Sequence, residues 1–131
     1  EARMQTARLT SAKLPGAVLA RTLMQRVVAN NADFSGVTLE FTNLDGARLG
    51  RSLFDGATIH NSGFVKAEAG RASFVDATIT ITDFYGADLR RAKMTGAKLT
   101  GNRFTTAAVS GVDFNKAVME GKLMADGRVQ H

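Results

Sequence analysis

Cysteine and tryptophan are absent from the chain, and proline and tyrosine occur once each. Without cysteine there can be no disulfide and no thiolate metal site. No run of 18 apolar residues occurs, so no membrane-spanning helix is expected. The N-terminal EARMQTARLTSAKL lacks the apolar stretch of a secretory leader, which points to the cytoplasm. It also lacks an initiator methionine, so the chain is read as a processed form or a piece of a longer protein. Histidine occurs only at positions 60 and 131, too few for a metal set or for a nucleophile with its base. Gly121-Lys122 is followed by Leu123 rather than Ser or Thr, so it does not read as a phosphate-binding loop. Aspartate and glutamate are scattered, without a pair placed for acid–base work. These absences argue against an enzyme and against any cofactor.

Positive charge is in excess. Seventeen Lys and Arg stand against 12 Asp and Glu, a formal net charge of +5. The excess is uneven: residues 1–30 carry five basic and one acidic residue, whereas residues 31–60 carry two and four. No dense basic block occurs. A basic protein raises the question of an anionic partner without answering it.

What the sequence has in abundance is a beat of five. Every fifth residue from Met4 to Val129 is apolar. Two places before each stands a small residue, mostly Ala, with Thr, Ser or Val elsewhere; only Asn102, Lys122 and Gly127 break the rule. A helix cannot use this beat, because five residues turn about 500° and would spiral the apolar positions around its axis. A flat strand cannot use it either, because an odd repeat flips faces every time. The two demands are met if the small and the bulky residue lie two apart in locally extended chain, both inward, and the remaining residues turn a corner. Gly at 16, 36, 46, 56, 86, 96, 101, 111 and 121 follows the bulky residue by two, where a turn with φ > 0 would need it.

The triplets ADF at 32–34, ADL at 87–89, ARL at 47–49 and AKL at 97–99 resemble the A(D/N)LXX motif of the pentapeptide-repeat family, and the resemblance covers nearly the whole chain. It implies an all-β fold, a right-handed quadrilateral parallel β-helix with 20 residues per coil. Residues 1–131 would then be one domain of roughly six and a half coils, with a less regular last turn over about 120–131. The rod would be on the order of 30 Å long at about 4.8 Å per coil.

A step of 20 gives four inward columns. Leu14, Phe34, Phe54, Phe74, Met94 and Phe114 face Met24, Leu44, Phe64, Phe84, Phe104 and Met124. Leu19, Leu39, Ile59, Ile79, Leu99 and Met119 face Leu9, Ala29, Leu49, Ala69, Leu89 and Val109. Burying each large side chain is worth roughly 1.5–3 kcal/mol before entropy is counted. An alternative stays open for residues 17–28, AVLARTLMQRVV, where Leu19, Leu23 and Val27 also suit a short helix after Pro15-Gly16. In the coil reading, Val18, Leu23 and Val28 take outward positions and call for a cover.

Two outward groupings carry the functional expectations. Arg51, Arg71 and Arg91 fall in one column, with Arg48 and Arg90 beside it, a set suited to phosphates or carboxylates or simply to solvent. No aromatic interleaves it, so nucleic-acid stacking is poorly supported. Phe41, Asn61 and Ile81 form another column, flanked by Val65, Tyr85 and Lys66, a candidate protein-binding face. Thr38, Thr58 and Thr78 read as a structural ladder. His60 is expected to face solvent between Glu40 and Thr80.

The leading expectation is a non-catalytic interaction module, a bacterial rod or scaffold that binds another protein. The resemblance also implies alternatives. Family members that protect DNA gyrase from quinolones imitate the width and negative charge of duplex DNA and dimerise end to end; the resemblance implies an end-to-end homodimer as an expectation here too, whereas the net positive charge disfavours the DNA-mimicking role. Weak nucleic-acid binding through the Arg column is a further alternative.

Overall fold

The computed structural model describes residues 2–123 and 129–130, and the side chains of residues 2–121. The described chain is all strand and turn, with no helix to cross a membrane. Strands β1 (Ala2–Arg3), β2 (Val18–Ala20), β3 (Thr22–Leu23), β4 (Thr38–Glu40), β5 (Thr58–His60), β6 (Thr78–Thr80), β7 (Lys98–Thr100) and β8 (Val118–Glu120) are followed by the short pair β9 (Lys122–Leu123) and β10 (Val129–Gln130). The main sheet runs β2-β4-β5-β6-β7-β8, all parallel, and each register step is 20 residues: Leu19 pairs Leu39, Leu39 pairs Ile59, and Ile59 pairs Ile79. The other three faces hold single bridges at the same step, such as Arg48 to Glu68, Leu53 to Ser73, and Asn43 to Gly63. The result is a four-sided parallel β-solenoid of about six turns. β10 pairs antiparallel with β9. The remainder of the expected irregular last turn, with Met124, the Val129 side chain and His131, lies outside the described residues.

The segment 17–28 is coil, not helix. Val18–Ala20 and Thr22–Leu23 are strands, Met24 and Val27 are buried, and Leu23 and Val28 bridge to Asn43 and Arg48. The pentad frame decides this, because each cross-coil bond depends on the frame being unbroken. Leu23 and Val28 are half-buried, whereas Val18 keeps 72% of its surface in solvent with no cover.

The interior is closed by ring stacking. Phe34, Phe54 and Phe74 stack with centroids 5.0 Å apart, as do Phe64, Phe84 and Phe104 on the opposite wall. The two walls meet edge to face, Phe54 to Phe64 at 6.0 Å and Phe74 to Phe84 at 6.4 Å. Coil spacing thus coincides with the distance at which offset rings attract. Five of these six rings are completely buried and Phe104 is 3% exposed.

Three of the four corners are β-turns closed by a bond from the small residue's N–H to the bulky residue's carbonyl: Ala47 to Leu44 at 3.0 Å, Ser52 to Leu49 at 3.0 Å, Ala57 to Phe54 at 3.1 Å. The second corner residue has φ > 0. Nine glycines satisfy this cheaply, but Arg51, Arg71, Arg91 and a dozen other non-glycine residues also adopt it. That conformation disfavours L residues by roughly 1–2 kcal/mol. The stack holds them there: Arg51 N–H donates to the Gly70 carbonyl at 3.0 Å and Arg71 N–H to Arg90 at 2.9 Å.

The fourth corner, at 40–41 and its equivalents, is built differently. No turn bond closes it at Thr42, Ser62, Thr82 or Asn102. Instead a buried polar column takes over. The Thr42 N–H donates to Ser62 Oγ at 3.2 Å and the Thr82 N–H to Asn102 Oδ1 at 2.8 Å. The Ser62 and Thr82 hydroxyls donate to the carbonyls two residues earlier, and the Thr42 hydroxyl donates to the Leu19 carbonyl one coil back at 2.9 Å. Asn102 Nδ2 donates to the Ile79 carbonyl at 2.9 Å. Asn102, an exception in the sequence pattern, is therefore a satisfied part of the corner, as buried polar groups must be.

Candidate functional site

The first corner residue presents its N–H away from the coil, and a neighbouring acid or amide commonly receives it. Asp33 accepts from Ser35 N–H, Asn43 from Asp45, Asp83 from Tyr85, Asp88 from Arg90 and Asp113 from Asn115. Asp45 and Asp55 reach one coil further, to Val65 and Val75. This is the physical use of Asp or Asn at the second place of the repeat: an Asx cap on a turn amide. Pro15 meets the same need by having no N–H.

Caps are absent singly at other corners, as at Asp55, Thr95 and Thr105, and in three successive coils along one corner. Asn30, Gly50 and Gly70 occupy the first corner position of three successive coils, preceded two places earlier by Val28, Arg48 and Glu68 rather than Asp or Asn. Their N–H groups have no partner among the described residues. Gly50 and Gly70 floor an open groove. Arg51, Arg71 and Arg91 form one wall, and residues at 48, 68 and 88 the other.

Of the five arginines grouped by sequence, two are already engaged. Arg90 clasps Asp88 with two bonds, 2.9 and 2.8 Å, and Arg48 lies 3.5 Å from Glu68. Hydrogen bonds from the Arg90 guanidinium hold the Asp88 carboxyl below its ordinary pKa, against a smaller desolvation effect. Arg51, Arg71 and Arg91 are exposed, and their side chains form no ion pair among the described residues.

The apolar grouping divides. Phe41 and Ile81 stand at one corner, and Val65, Lys66 and Tyr85 at the next, with the Asn43–Gly63–Asp83 column between them. Phe41 is 49% and Ile81 59% exposed, both with φ near +50°. Val65 and Tyr85 are half-buried, and Lys66 is exposed. Arg21 covers the Phe41 ring at 5.3 Å and Arg103 the Tyr85 ring at 4.8 Å. Arg103 also grips Asp83 through bonds of 2.9 and 2.5 Å. Burial pushes the Asp83 carboxyl up, but Arg103 and the Tyr85 N–H outweigh it and hold the pKa low. Between the corners, Gly63 leaves room for Asp45, whose Oδ1 would sit 2.6 Å from any Cβ there. His60 pairs in register with Glu40 and Thr80 and is half-buried rather than fully solvent-facing. The amide row at 30, 50 and 70 was missed by sequence reasoning; its signal was the missing Asp or Asn at 28, 48 and 68.

A stacked four-sided coil of five-residue units defines the class of protein. The chain belongs to the pentapeptide-repeat family: models of these repeats match residues 2–40 and 82–121, and a second model matches 44–88. Among solved structures it is similar to HetL, a pentapeptide repeat protein involved in heterocyst differentiation regulation from the cyanobacterium Nostoc sp. strain PCC 7120. That likeness has a TM-score of 0.50 and 15% identity, over 98% of this chain and 91% of HetL. Rfr23 from the cyanobacterium Cyanothece 51142 has a TM-score of 0.42 and 16% identity, over 95% of this chain and 91% of its own. QnrB1, a plasmid-mediated fluoroquinolone resistance protein, has a TM-score of 0.41 and 18% identity, over 92% and 68%. No curated protein matches the sequence. The likeness to HetL speaks to the fold alone.

Proposed function

We propose that the chain is a non-catalytic rod that binds another protein through the face edged by Phe41 and Ile81. The observation that carries this reading is Ile81. It is β-branched, 59% exposed and held at φ 49°, a conformation strongly disfavoured for such a residue. Folding gains little from an apolar side chain left in water at a strained corner, and the same column accepts Gly101 and Gly121. Strain kept without benefit to the fold is a mark of a binding position. Phe41 repeats the pattern two coils away. The rod's part is to hold these side chains at fixed spacing, which lowers the ordering cost of association.

The test is a pair of readouts on Phe41→Gly/Ile81→Gly. Glycine relieves the backbone, so thermal stability should hold or rise by about 1 kcal/mol per site. Photo-crosslinking in bacterial cytosolic extract should give a saturable protein adduct from position 61 in the parent and none in the variant. An adduct of equal yield in both would reject the face. A second reading, topoisomerase binding by imitation of duplex DNA, has the net charge of +5 against it.

A further inference from the structure

We infer that the glycine-floored corner at Gly50 and Gly70 is an oxyanion site that receives the carboxylates of an extended acidic segment of a partner protein. This rests on the protein-binding reading and adds a second, chemically different contact on another side of the rod.

Three observations converge there. The wall of Arg51, Arg71 and Arg91 has one unpaired guanidinium per coil. The floor offers the free N–H groups of Asn30, Gly50 and Gly70 at the same axial step. At Gly70 a Cβ would meet nothing closer than the Arg90 carbonyl at 3.7 Å and no positive φ demands glycine, whereas a Cβ on Gly50 would lie 3.0 Å from Asn30 Nδ2, so the Asn30 side chain accounts for that glycine. A folding explanation for Gly70 is therefore missing, whereas close approach of a ligand to backbone supplies one. Successive peptide N–H groups beside guanidinium forks recognise an oxyanion.

Length and charge select the ligand. Three coils span about 10 Å, and same-side carboxylates on an extended peptide lie about 6.6–7 Å apart, so two of them fit the ladder. Glu68 and Asp88 on the opposite wall repel a dense polyanion such as duplex DNA, while their own arginines leave them tolerant of a sparse one. No aromatic side chain lines the groove to stack a base. Asp88 clasped by Arg90 closes one end of the floor, since it caps the next amide in the row.

The experiment is fluorescence anisotropy with a labelled octapeptide of alternating Glu and Ser. Binding should weaken with added salt. Arg51→Ala/Arg71→Ala/Arg91→Ala should weaken it by about tenfold or more. A control of equal charge, Arg21→Ala/Lys98→Ala/Lys116→Ala, should leave it within about twofold, since none of those residues adjoins the groove. Gly70→Pro removes one floor N–H at a turn position where Pro15 already stands, so the thermal melt should be unchanged and the affinity should fall. Equal loss in the charge control, unchanged binding in the Arg triple or in Gly70→Pro, or tighter binding of an oligonucleotide of equal charge would each overturn the inference. Because the peptide assay does not involve Phe41 or Ile81, its failure leaves the face at 41–81 to stand or fall by its own test.

Discussion

Replacing Ser62 by Ala and Ser52 by Ala removes the same hydroxyl from two equivalent small slots, yet the consequences should differ. Ser52 is fully buried at a corner that closes through its own backbone, with its N–H on the Leu49 carbonyl at 3.0 Å and its Oγ on the same carbonyl at 2.7 Å. Without the hydroxyl, every backbone group there keeps a partner, and Ala already fills this column at positions 32, 72 and 92. Ser62 stands at the corner without a turn bond, where its Oγ is the acceptor for the Thr42 N–H, itself 1% exposed. Ser62→Ala orphans that amide. An unsatisfied buried donor costs about 1–3 kcal/mol, whereas loss of a redundant hydrogen bond is close to neutral. Urea unfolding followed by far-ultraviolet circular dichroism should show a midpoint loss worth about 1–2 kcal/mol for Ser62→Ala. Ser52→Ala should stay within about 0.5 kcal/mol of the parent, with m unchanged in both. Hydrogen exchange at the Thr42 amide should accelerate only in Ser62→Ala. Equal midpoints for the two variants would refute the account of the fourth corner.

Two further outcomes follow from the core and the surface. Phe74→Ala removes a buried ring stacked at 5.0 Å on Phe54 and set edge-on to Phe64 and Phe84, so it should cost about 3–5 kcal/mol in thermal or chemical unfolding; a loss under about 1 kcal/mol would contradict a shared ring stack. Asp88 has a folded-state pKa below its ordinary value because of Arg90, so its stabilising share is fully present above about pH 4 and disappears as pH falls through the lowered value. Asp88→Asn should therefore flatten the acid limb of the stability–pH curve, and an identical limb in parent and variant would count against the clasp.

The four columns and their register were legible in the chain alone, because a step of five residues admits very few geometries and the 20-residue repeat checks itself. Phe34, Phe54 and Phe74 could be placed in contact from their numbers. The corner glycines were equally legible, since φ > 0 selects Gly. Asn102 was visible but misleading: it broke the small-residue rule, and only the missing turn bond explains why an amide belongs there. The helix considered for residues 17–28 had the right periodicity, but each coil must donate its hydrogen bonds to the next, and a helix would have left the first coils unpaired.

The sequence by itself determined which side chains point inward, because the alternation of small and bulky residues is a local property of extended chain. Tertiary structure alone decided which charges remain free. Asp88 and Glu68 absorb Arg90 and Arg48, whereas Arg51, Arg71 and Arg91 keep none of the acids, and that sorting depends on distances between coils. It also decided that Phe41 and Val65 stand at separate corners and that the amides at 30, 50 and 70 are bare. Outward positions are fixed by neighbours 20 residues away, and no local pattern records who those neighbours satisfy.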